Sequence, residues 1–184
     1  MTHSRMPYVL TFLMAVATAL ILLGMGRAGV CPCGYVDLWG TVGTEEANQQ
    51  VLDWYAPSHL LHGLLFYAAL WLVVPRVPVG WRLVIATVVE CAWEIAENTD
   101  AMIQRYRDTT VSADYIGDSV LNSASDIAAM WVGFALARVL PVWVSVAVVI
   151  GFEVLTMLVI RDGLALNILM LLWPLEAVKE WQGG

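Results

Sequence analysis

Charge is scarce in this chain. Only 14% of its 184 residues are Asp, Glu, Lys or Arg, where a soluble domain carries about 25%. A water-soluble single domain is therefore a poor fit. Basic residues are scarcer still: the nine Lys and Arg are scattered, and the net charge is −7. Without a basic run there is no electrostatic footprint for nucleic acid, so no nucleic-acid partner is expected. Three cysteines are too few for a disulfide framework. No clear small-x-small cleavage site follows the first apolar run, so that run reads as a retained helix rather than a signal peptide. The helical zinc signature with Glu between two His is absent as well; the short His59-x-x-His62 lacks it.

What the chain has instead is apolar length. Hydrophobic residues make up 60% of it, arranged in long runs that suit bilayer-spanning helices of about 20 residues. Segments are expected over about 7–26, 57–74, 81–97, 116–140 and 142–160. Pro57 opens the second and Pro141 ends the fourth. A final run over 164–175 is short for a span; it either extends through the amphipathic tail or is re-entrant. Trp54, Trp81, Trp143 and Trp173 sit at segment ends, as in interfacial aromatic belts. In the 27–56 connection, Thr44 followed by Glu45 and Glu46 predicts a short interfacial helix ending near Trp54. The stretch 98–115 reads as a polar connection. The expected fold is all-α: one integral membrane domain over 1–184, a polytopic bundle of about six helices. Basic residues divide five to four in favour of both termini facing the cytoplasm.

Against that apolar background the acids stand out. Carboxylates at a helix centre in lipid cost about 2.5–3.5 kcal/mol each, so they need partners or a purpose. Glu90, Glu94 and Glu97 follow i, i+4, i+7, one stripe of segment three. Asp118, Asn122 and Asp126 follow i, i+4, i+8 on segment four, and His59 and His62 lie i, i+3 on segment two. Alternating topology brings all three sets to one side, each within roughly 12 Å of that face. They are expected to line one outward-facing pocket, with Glu97, Asn98, Asn122 and Ser119 in its polar wall. Five acids against two His and two Arg leave a negative surplus, which needs bound cations, held protons or water.

Three uses fit that surplus. In one, His59, His62, Glu94 and Asp118 ligate a divalent metal such as Zn, Mn or Fe, with Glu90 or Asp126 as base, for hydrolysis or transfer on a lipid or envelope substrate. Arg105 and Arg107 would then hold an anionic headgroup. In the second, the groups form a structural network in an accessory membrane protein. In the third, they carry a cation or protons. A separate thiol site is expected at Cys31 and Cys33, where a thiolate pair suits copper or zinc, or each Cys pairs elsewhere; one intervening residue makes a direct disulfide strained.

The motifs CPCG at 31–34, PSHLLHG at 57–63, ECAWEIAEN at 90–98, RYRDTT at 105–110, YIGDSVLNSASD at 115–126 and RDGLALNILMLLWPLEA at 161–177 carry a resemblance. The chain resembles a family of uncharacterised multi-pass inner-membrane proteins of proteobacteria. The resemblance covers nearly the whole sequence and implies a bacterial plasma-membrane location; it brings no activity, cofactor or catalytic residue. Gly117-Asp118 with Asn122 and Asp126 also resembles the helix opening of VanZ-like small membrane proteins, which implies handling of envelope components.

Overall fold

The computed structural model describes residues 5–44 and 46–184. Its helices are α1 (Met6–Gly24), α2 (Ala56–Val73), α3 (Val79–Glu97), α4 (Asp100–Thr109), α5 (Val120–Val139), α6 (Val142–Ile160), α7 (Leu164–Leu172) and α8 (Glu176–Gly183). The all-α membrane bundle stands. Helices α1, α2, α5 and α6 are long and apolar enough to cross a bilayer. At about 1.5 Å per residue, 18–20 residues match a hydrocarbon core of about 30 Å. Helix α3 equals them in length at 19 residues, and its charges Arg82, Glu90, Glu94 and Glu97 are what set it apart.

Two expectations fail here. The last apolar run is not a sixth span. Its helix α7 has nine residues, about 13 Å, and breaks at Trp173-Pro174 before the amphipathic α8, because Pro cannot continue the ladder. The termini therefore do not share a side. Gly80, opening α3, packs on Pro7 and Tyr8 of α1. At the far end of α3, Lys179 of α8 donates to the Asp108 carbonyl of α4 at 2.6 Å, and Arg161 donates to the Trp181 carbonyl at 3.0 Å.

The 27–56 connection folds by turns rather than as a helix at 46–54; Glu45 lies outside the described residues. This strap closes the polar end of the bundle. The first N–H groups of a helix have no partner within it, and the strap supplies them: Val120 and Leu121 donate to the carbonyls of Ala28 and Gly29. The Ser119 hydroxyl caps α5 by accepting from the Asn122 N–H at 3.1 Å, and itself donates to the Gln49 carbonyl. Asp53, three residues ahead of α2, accepts from the Tyr55 and Ala56 N–H groups.

Helices α2 and α5 meet backbone to backbone. A Cβ at Gly63 would land on the Met130 carbonyl oxygen, and one at Gly133 on the Leu60 carbonyl oxygen. Small residues allow this approach in lipid, where apolar bulk gives no selective drive. Beside the contact lies an apolar plug of Ala86, Met130 and Phe134. The polar ends of α2, α3 and α5 meet above it.

Candidate functional site

Helix α2 presents His59 and His62 toward α3, one turn apart. The Glu90 carboxylate lies within hydrogen-bond distance of both imidazoles: His59 Nδ1 is 2.7 Å from Oε1 and His62 Nδ1 3.0 Å from Oε2. One turn on, Glu94 Oε1 is 3.5 Å from His59 Nδ1. From the α5 side, Asp126 Oδ2 is 3.9 Å from His59 Nε2. His59 is the hub, with carboxylates from two helices on both of its nitrogens. Glu90 and Glu94 are fully buried, and Asp126 nearly so.

Nearer the polar end a second cluster forms. Asn98 clasps Asp118: its Nδ2 donates to Asp118 Oδ2 at 3.1 Å, and its Oδ1 accepts from the Asp118 N–H at 2.7 Å. The Tyr115 hydroxyl donates to Asp118 Oδ1 at 3.0 Å. The Tyr106 hydroxyl lies 2.8 Å from Glu97 and 3.0 Å from the Asn167 amide oxygen of α7. Burial, and then the charges of Glu97 and Asp53, push the Asp118 carboxyl well above the usual range. Burial also raises Asp53, against the hydrogen bonds from Tyr55, Ala56 and Asn122 and the pull of His59.

Between these clusters lies a cavity of about 270 Å³. Its polar wall includes His59, His62, Glu90, Glu97, Asp118 and Asp126, and its apolar wall Leu65, Phe66, Val89, Trp93 and Ile168. Of the acids and imidazoles read from the sequence, His59, His62, Glu90, Glu97, Asp118 and Asp126 line this chamber, while Glu94 lies buried behind its wall beside His59.

Several details of the expected arrangement are redrawn. Asp118 precedes the Ser119 cap of α5, so it does not share a helical stripe with Asn122 and Asp126. It is held by Asn98 and Tyr115, away from the tightest donor groups. Those are His59, His62 and Glu90, and His59, Glu94 and Glu97, each with donor atoms within 4.8 Å of one another. Glu90 therefore stands within one of the groups whose geometry could hold a metal ion. Asn122 turns from the chamber to donate to the Gln50 carbonyl and Asp53. Ser119 is spent on the cap. Arg105 donates twice to the Leu171 carbonyl, at 3.0 and 2.8 Å, and caps α7. Arg107 Nε donates to the Tyr115 carbonyl at 2.6 Å. Neither lines the cavity. Cys31 and Cys33 are joined in a disulfide, so the thiolate pair expected there is closed.

The sequence reading missed Asp53, Tyr106 and Tyr115 as site residues. A buried acid at the polar end with a proline-opened helix three residues later was the available signal for Asp53. The tyrosines gave none, because α4 brings in Tyr106 and the segment after it brings in Tyr115 by a path no local spacing encodes.

The donor chemistry fits a divalent ion. Imidazole nitrogens and carboxylate oxygens suit Zn, Mn or Fe, and both Glu94 oxygens are buried without a hydrogen-bond partner, an expensive state for a carboxylate.

The sequence matches a family model described as "Protein of unknown function (DUF2585)" over residues 22–184. It is similar to a UPF0314 protein of Paracoccus denitrificans, 64% identical over all of this chain and 95% of the relative. A UPF0314 protein of Novosphingobium aromaticivorans is 53% identical over 94% of this chain and 90% of its own length. One from Rhizobium etli is 48% identical over 99% and 94%. No solved structure matches. The VanZ-like resemblance is not among what these matches show.

Proposed function

The chain belongs to the DUF2585 family, and from that membership and its chamber we propose a multi-pass protein of the bacterial inner membrane whose chamber holds a divalent metal ion for hydrolysis or group transfer on a lipid or envelope substrate. The observation that carries this reading is the convergence of His59, His62 and Glu90 within 4.8 Å, on the wall of a cavity large enough to admit part of a small molecule. A metal held there would supply a water of lowered pKa at neutral pH. The chain's own residues divide the remaining work. Glu90 fixes both imidazoles. Asp126 lines the chamber and its Oδ1 is unpartnered, so it is the carboxylate placed to accept a hydrogen bond or a proton from a bound substrate. Glu97, tied to Tyr106, keeps the chamber's polar rim in position.

The disulfide Cys31–Cys33 supports an orientation with the strap outside the cytoplasm, because such bonds persist in oxidising compartments. Basic residues do not decide it. With the two termini at opposite ends, Arg5, Arg76, Arg82 and Arg138 sit at the α1-start end, and Arg27, Arg105, Arg107, Arg161 and Lys179 at the other.

Metal analysis of purified full-length protein tests the reading. Wild type is expected to retain stoichiometric metal after washing. His62→Ala and Glu90→Gln are expected to lose it while keeping their helical circular dichroism. A wild-type protein that takes up no metal on reconstitution, or variants that bind it equally well, removes the metal centre. The fully hydrogen-bonded Asn98–Asp118–Tyr115 cluster favours a second reading, a non-catalytic accessory membrane protein, and that outcome would leave it standing.

A further inference from the structure

The chamber has an apolar mouth that opens sideways. Leu65 on α2, Val89 on α3 and Ile168 on α7 line the cavity, yet they are 44%, 47% and 45% exposed. A side chain that both lines a cavity and faces outward marks its opening. Leu65 stands on α2, which is long and apolar enough to cross a bilayer, and Val89 on α3, of similar length; in a bilayer-embedded bundle this mouth faces lipid, so a ligand passing it comes from the bilayer and has an apolar part.

The inner end selects charge. No lysine or arginine lines the cavity among the described residues. The two arginines nearest in sequence, Arg105 and Arg107, are committed to the Leu171 and Tyr115 carbonyls. The polar wall carries Glu90, Glu97, Asp118 and Asp126. Asp126 is 3% exposed, and its Oδ1 has no hydrogen-bond donor. A buried acceptor without a donor is costly unless a ligand supplies one. A phosphate or carboxylate head would bring only more acceptors and more negative charge. An ammonium brings donors and the opposite sign.

We infer that the chamber takes a long-chain amphiphile bearing an amine, its chain lying across Leu65, Val89 and Ile168 and its ammonium donating to Asp126. The inference rests on the reading of the chamber as a substrate site, but not on the metal.

The test offers purified full-length protein, in a neutral maltoside detergent, equal concentrations of dodecylamine, dodecanol and dodecyl phosphate. Native mass spectrometry reads bound ligand and bound metal on the same sample. Dodecylamine is expected to exceed dodecyl phosphate in occupancy by about tenfold or more, the scale of a hydrogen bond to a charged group. Asp126→Asn is expected to abolish that preference. Val89→Trp, a lipid-facing change that fills the mouth, is expected to lower occupancy by all three probes. Dodecyl phosphate bound as well as the amine overturns the inference, and that wild-type comparison stands even if Asp126→Asn does not fold. A preference unchanged in a folded Asp126→Asn also overturns it, and undiminished occupancy in Val89→Trp overturns the lateral entry. Metal bound with no amine preference removes this inference alone, whereas amine preference without metal removes the metal centre alone.

Discussion

Helices α5 and α6 follow one another across Leu140-Pro141 and have nearly equal lengths, yet they live in different surroundings. In α5, 44% of the most apolar 18-residue window is buried; in α6 the figure is 6%, with Thr156 the one buried residue. The more hydrophobic helix is the one left outside. In water the order would be reversed. In lipid, apolar side chains gain nothing by leaving the bilayer for a protein core, so packing is decided by small and polar residues. Helix α5 has Gly133 against α2, and Asn122, Ser123 and Asp126 facing partners. Helix α6 has valines and leucines, with Val142 and Leu158 among the most exposed residues of the chain.

The sharpest way to break this contrast is at the glycines. Gly63→Ala or Gly133→Ala drives a methyl into the facing backbone of α5 or α2, and backbone cannot rotate away as a side chain does. A loss of about 3 kcal/mol is expected, at the upper end for overpacking. Thermal unfolding in detergent reads it. An unchanged midpoint in both variants would mean that the α2–α5 seam is not the centre of the bundle.

The polar half of the contrast is next. Asn98 is fully buried and both donates to and accepts from Asp118. Asn98→Ala leaves a buried carboxyl oxygen and a buried N–H unpaired, a loss of about 2 kcal/mol. The same measurement checks it, and Asn98→Ser, which restores one partner, should fall between the two.

How much of this was legible in the sequence follows from which interactions are local. The stripe Glu90, Glu94, Glu97 was legible because it is periodic on one helix, and so was its meeting with His59 and His62, because alternating spans bring those ends together. Long apolar runs fixed α1, α2, α5 and α6 to within a few residues. Helix α4 was not seen, because its polar composition resembles a loop; the signal was the Thr99 cap accepting from the Met102 N–H, with Asp100 in the first turn. Asp118 was placed on the wrong side of a helix start, since Ser119 caps α5 and the spacing to Asn122 imitates a helical stripe. The commitments of Arg105 and Arg107 to carbonyls depend on where α7 and the 110–119 segment return, which no local pattern records. The last run, short for a span, reached the expected count of about six helices only by extending through the amphipathic tail, and the break at Trp173-Pro174 between α7 and α8 removes that extension.

A smaller effect comes from pH. Burial and the neighbouring Glu97 and Asp53 raise the Asp118 carboxyl in the folded state; Tyr115 and Asn98 also face it. A carboxyl raised on folding binds its proton more tightly in the folded chain than in the unfolded one. Its contribution is therefore fully present below the ordinary Asp value near 3.8. It is lost as pH rises from there through the raised folded value, by up to about 1.4 kcal/mol per pH unit for one proton. Unfolding midpoints in detergent are expected to fall as pH rises from mild acid, and Asp118→Asn to flatten that slope. A slope equally steep in the variant would assign the dependence to other groups.

The smallest effect sharpens the contrast from the lipid side. Gly151 sits mid-way along α6, exposed, and a Cβ there meets nothing within 4 Å. The same chemical change that wedges α2 from α5 at Gly63 should here do no harm. Alanine loses less backbone entropy than glycine in a helix, so Gly151→Ala should raise stability by at most about 1 kcal/mol. Thermal unfolding beside Gly63→Ala gives the comparison directly, one methyl on each of two helices with opposite signs. If Gly151→Ala instead lowers the midpoint as Gly63→Ala does, α6 is packed against something more demanding than lipid. The exposed valines and leucines along it would then belong to an interface, and the difference between α5 and α6 would be one of partner rather than of burial.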